Sequence, residues 1–240
     1  MDIRELIKME NEIIEESILE SEELITNSYN LVKLLSQIAD VKNIDASVFL
    51  FLHRQVQNSL FQSLLSILRR HEIQAQIMLR HSIEMACLSV YSLENTNTND
   101  YIVIDDIAAK PVKGIERKAY KYLDKEFHEE SKKLKAIKDN INQYFAHGNM
   151  FSSFKILSKD SLKIDYLDRK DSLLERTFIW QIGYVASIVF IMIYKAAKKS
   201  SAVIVRKEVF DEFKMLLSVN QKFREEFLKE KRLRRHSNIV

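Results

Sequence analysis

Proline occurs once in this 240-residue chain, glycine three times and cysteine once. So little proline and glycine argues against an antiparallel β protein, whose tight turns need such residues every few positions, and leaves long helices with few interruptions. The lone Cys87 lies in an apolar helical run, so no internal disulfide can form and the thiol reads as buried and inert. The opening stretch MDIRELIKMENEIIEES lacks an apolar core and is acidic, unlike a signal peptide, and the expected location is the cytoplasm. Gly-rich phosphate loops, G-x-S-x-G and HExxH are all missing, which excludes most enzymes recognisable by motif. The Glu and Glu-x-x-His set of di-iron bundles is missing too, and His81-x-x-Glu84 occurs once, in reverse order. Neither a metal site nor a cofactor is expected.

What the chain has is charge and apolar periodicity. Charged residues make up 30%, as in helices with one wet and one dry face. Residues 3–38 predict a first long helix with a seam of Ile7, Ile14, Ile18, Ile25, Val32 and Leu35. A break at 40–45 is followed by helices over 46–70 and 72–94. The stretch 94–114 reads as irregular, with YIVIDDI a short strand or an extended loop. Residues 115–147 read as helix in one or two pieces, with a break near Glu130. Apolar and polar residues then alternate on both sides of a polar turn, which predicts a β-hairpin over about 152–167. Helices over 169–199 and 205–234 complete the chain. No repeat or Pro-rich linker divides it. The fold class is therefore all-α: a single domain, 1–240, of long antiparallel helices with one inserted β-hairpin. Its parts are an N-terminal helix (1–40), a core (45–200) and a C-terminal helix with a basic tail (203–235).

Two features bear on partners. Phe178 to Tyr194 carries no formal charge and meets the lower length limit of a spanning helix, about 17 residues. Gln181, Gly183 and Ser187 dilute it, and a helix enclosed by others has the same signature. A core helix is thus expected, and no membrane partner. The beginning of the chain is acidic and its end, KEKRLRRHSNIV, basic, which suits pairing of the first and last helices within a chain or across a homodimer.

Chemistry could reside in two places. Arg80 and Glu84, four residues apart, share a helix face with Ile77, Leu88 and Tyr91, so a buried ion pair is expected. The stretch DNINQYFAHGNM places Asn140 and Gln143 on the side of His147. Gly148 after it fits a left-handed helix end, and a histidine suits the last turn. His147 is also the candidate general base.

The RxxxE element at Arg80–Glu84, the helix ending in Asn142 and then His147-Gly148, and the hairpin and two helices after it resemble a group of bacterial helical proteins. That group is similar to the HEPN superfamily, many of whose members are RNases of toxin–antitoxin and phage-defence systems. The similarity covers roughly residues 45–200. Nuclease HEPN domains carry an Arg separated from His by four to six residues, whereas this chain has Asn140, Ile141 and Asn142 at those distances from His147. The resemblance therefore implies a non-catalytic module that binds RNA or a protein, with Asn140, Asn142 and Gln143 as candidate binding residues. By charge alone, Lys231, Arg232, Arg234 and Arg235 of the tail are further candidates for contacting phosphates, or partners for the acidic first helix. A divergent metal-independent RNase using His147 with Arg80 and Glu84 is the alternative. A membrane-associated helical protein anchored by 178–194 is the second.

Overall fold

A computed structural model describes residues 2–104, 109–145, 167, 168 and 170–231. Among these lie seven α-helices: α1 (Ile3–Leu35), α2 (Ser47–Leu68), α3 (Glu72–Ser92), α4 (Ile115–Glu126), α5 (His128–Tyr144), α6 (Ser172–Ala197) and α7 (Val209–Phe227). Two antiparallel strand pairs join them. β1 (Ala39–Val41) pairs with β4 (Val203–Val205), and β2 (Ile102–Ile104) with β3 (Ala109–Pro111). The all-α bundle is thus as expected, and YIVIDDI contributes a strand. The expected hairpin over 152–167 falls almost wholly outside the described residues.

Local chemistry sets the helix ends. Asp2 caps α1, its carboxylate accepting from the Arg4 and Glu5 amides at 2.7 and 2.9 Å while Glu5 accepts from the Asp2 amide. The break between α4 and α5 comes at Phe127 (φ −138°), whose buried ring anchors the corner, rather than near Glu130. The β1–β4 pair escapes periodicity because three-residue strands are too short to show a repeat. It ties the exit of α1 to the entry of α7 and is clamped by Arg206 on Asp40.

α6 is the central element. Trp180, Phe190, Ile179, Val185 and Ile193 are all buried, and α1, α2, α3, α5 and α7 pack around the helix. Aromatic pairs stitch it to α7: Phe190 stacks on Phe213 at 4.0 Å and Tyr194 on Phe210 at 4.7 Å. Trp180 Nε1 donates to the Asn220 carbonyl at 2.9 Å. Gly183, which dilutes the apolar run, is needed there. A Cβ at this position would stand 2.8 Å from Ser28 Oγ and 3.1 Å from Asn220 Oδ1.

The α1 seam differs from the expected one. Val32 and Leu35 are buried, but Ile7 is exposed, and Ile13, Ser17, Leu24, Asn27, Ser28 and Leu31 complete the inner face. Three of those are polar, so apolar periodicity alone points slightly off the true stripe. The acidic residues of α1 also find partners other than the chain's end. Glu10 meets Arg69 and His71, Glu16 meets Arg70 and Lys170, and Glu20 meets Lys170. These bases lie at the α2–α3 turn and just before α6.

Candidate functional site

α4 and α5 form an antiparallel pair lying on α3, and α5 also touches α6. Their inner face is apolar through Ala119, Leu123, Leu134, Ile137 and Ile141. The amphipathic pattern therefore turns the basic residues outward.

Arg80 and Glu84 sit at the rim of this layer. Arg80 Nη2 lies 3.3 Å from Glu84 Oε1, and Lys138 from α5 reaches the same oxygen at 2.9 Å. Lys138 also donates to the Tyr120 hydroxyl at 3.0 Å and stands 4.9 Å from the centre of its ring. The side chains of Arg80 and Glu84 are 36% and 21% exposed, so the pair is not the buried one expected. Ile77, on the same stripe, is likewise open to solvent while Leu88 is covered. The face lies half over the α4–α5 layer and half outside it. Removing one charge from such a pair costs well below the several kcal/mol of a buried one.

Beneath the rim, Cys87 is fully covered. Burial pushes its thiol up to about 12, with the Tyr120 hydroxyl acting in the other direction. The Tyr120 hydroxyl is itself raised, chiefly by burial. Both groups stay protonated at neutral pH, so the cluster offers no thiolate or phenolate nucleophile.

The remaining predicted residues are divided. Asn142 lies one turn beyond Lys138 on α5 and shares its face, whereas Asn140 does not. Both are half-buried, and Gln143 is exposed. Lys231 is exposed at the end of the described chain. His147, Gly148, Arg232, Arg234 and Arg235 lie outside the described residues. Among the described residues, no group of three His, Cys, Asp or Glu is placed to hold a metal ion.

The basic residues of the α4–α5 layer went unnoticed in the sequence. Residues 110–138 hold ten Lys and Arg against five Asp and Glu, ten minus five giving +5 in a chain of net +3. Some are neutralised locally, as Lys135 is by Asp124 at 2.6 Å. Arg117, Lys118, Lys121 and Lys132 are exposed and make no ion pair among the described residues. A charge count per segment would have found this face, but a search for catalytic motifs could not. Compared with protein-family models, curated proteins and solved structures, the chain matches none.

Proposed function

We propose that the chain is a non-catalytic, HEPN-like module of a bacterial defence or stress system that binds RNA on the α4–α5 face. The observation carrying this reading is the net charge of +5 over residues 110–138, with Arg117, Lys118, Lys121 and Lys132 exposed and uncommitted to ion pairs. Such a face neutralises phosphates without regard to sequence.

What supports binding without turnover is the set of groups at the site. Metal-independent RNA cleavage needs a base near the 2′-hydroxyl and a cation at the scissile phosphate. Arg80, the neighbouring helix's guanidinium, is shared with Glu84. Asn140 and Asn142 offer amides that bind polar groups without contributing charge.

The test is fluorescence anisotropy on a labelled single-stranded RNA across a salt series. Wild type is expected to bind with affinity that falls steeply with salt. Lys118→Glu, Lys121→Glu and Lys132→Glu together should lower the log–log slope by about 2, at roughly 0.7 per phosphate contact on a single strand. Unchanged affinity in the triple variant would remove this face from consideration. RNA cleavage that resists chelator and is abolished by both His147→Ala and Arg80→Ala would replace the module with the nuclease.

A further inference from the structure

On the other side of the molecule, α1 and α7 enclose a groove of about 380 Å³ lined by Glu22, Glu23, Thr26, Asn27, Leu216 and Val219. Asn27 is 4% exposed, and neither its amide nitrogen nor its amide oxygen has a hydrogen-bond partner. Buried amides are almost always paired, because leaving one without water or a partner is costly. A second asparagine adjoins the same seam. Asn220 is 2% exposed with Oδ1 unpaired, and it stands with Ser28 over Gly183. The packing of α1, α6 and α7 thus holds unpaired polar groups within a buried seam.

The rim of the groove is also unsatisfied. α1 is kinked at Ser21 (φ −144°, ψ 29°), directly before Glu22 and Glu23. Of the acids before the kink, Glu10, Glu16 and Glu20 are held by bases of the α2–α3 turn and by Lys170, whereas Glu15 is exposed with no ion pair among the described residues. Glu22 and Glu23 are exposed and pair with no base among the described residues.

We infer that this groove is a docking site for a basic peptide segment in extended conformation. The Asn27 amide has one donor side and one acceptor side, which matches the N–H and C=O of an extended peptide unit and not those of a helix, whose groups are already used. A rotation of the Asn27 side chain toward the groove exchanges an unpaired amide for a doubly paired one. Glu22 and Glu23 then meet the cationic heads of Lys or Arg, whose aliphatic stems lie on Leu216 and Val219. A simple cation such as a polyamine satisfies the carboxylates but leaves the Asn27 donor unmet. This inference is independent of RNA binding, since it concerns a different pair of helices and the opposite charge.

The experiment titrates full-length protein into a labelled peptide of sequence KEKRLRRHSNIV, the strongly basic stretch this chain itself carries at 229–240. Saturable, salt-sensitive binding is expected. Asn27→Leu should weaken it by roughly tenfold, the loss of a matched amide pair, while raising the melting temperature because an unpaired amide gives way to an apolar side chain. Glu22→Gln with Glu23→Gln should weaken it as well, and both variants should bind RNA as wild type does. Binding seen only after the chain is shortened to end at Leu228 would also support the groove, with the chain's own end as its basic peptide. Peptide binding by Asn27→Leu equal to wild type overturns the inference, as does displacement by spermidine equally from wild type and Asn27→Leu. Absence of binding in both full-length and shortened chains does the same.

Discussion

His53 shows how one buried side chain sets a pH limit. It is 8% exposed, stacks on Phe49 at 5.2 Å, and its Nε2 lies 2.6 Å from the carbonyl of Leu35, the last residue of α1. That contact makes Nε2 the donor, and burial favours the neutral ring. Burial lowers its pKa below the usual imidazole value; the Leu35 carbonyl acts against this, and Arg54 adds to it. The unfolded chain therefore takes up a proton more readily than the folded one. Stability from this residue is complete above about pH 6.5 and is lost as pH falls through the unfolded value toward the lower folded one. The urea midpoint is expected to drop between about pH 7 and 5.5, and His53→Gln, which keeps a donor but cannot titrate, should flatten that drop. A midpoint equally pH-dependent in His53→Gln would move the cause elsewhere. The carboxylates of Glu16, Asp40 and Asp124 are held low by Lys170, Arg206 and Lys135 respectively, so their contribution is lost only at more acid pH.

At the scale of elements, the α2–α3 corner depends on a distant residue. His71 N donates to Ser66 O and Arg70 N to Ile67 O, the paired bonds of a Schellman ending, with Arg70 in the left-handed region (φ 58°) where glycine is usual. The side chain of His71 does not cap α3. Asp168 does so instead, accepting from the Glu72 amide at 2.7 Å while its own amide donates to Arg70 O at 3.0 Å. One residue thus closes both sides of the corner. Asp168→Ala should cost about 1–2 kcal/mol in chemical denaturation, and Asp168→Asn less, since an amide oxygen still accepts. Equal stability of Asp168→Ala and wild type would mean that water serves the Glu72 amide.

For the molecule as a whole, α6 decides the character of the fold. It is long and apolar enough to cross a membrane, yet 83% of its most apolar window is buried among the other helices. Covered on nearly all sides, it has little surface left for lipid. The protein is expected to purify without detergent. Retention in the membrane fraction through a carbonate wash would contradict this. Around α6 the molecule separates charge: acidic α1 lies with α7 on one side, and the basic α4–α5 pair lies over α3 on the other. The two binding proposals rest on this separation, a polyanion on the basic face and a basic peptide on the acidic one.

The sequence by itself determined the helical class, because one proline and three glycines cannot supply the turns of a β fold and apolar residues recur at helical spacing. It also placed α1, α2, α3 and α6 to within a few residues, ran α7 several residues past its end at Phe227, and left the division of 115–147 open. What it could not decide depends on contacts between residues far apart in the chain. Asn27 reads as an ordinary polar residue until α7 packs against α1 beside it, and Arg80–Glu84 reads as buried until α5 is seen to cover only half of that face. Asp168 becomes a helix cap only when it meets Glu72, and β1 and β4 become strands only in each other's presence. Periodicity reports which face of a helix avoids water; how completely a neighbour covers that face is fixed by packing, and that coverage determines which polar groups remain to bind.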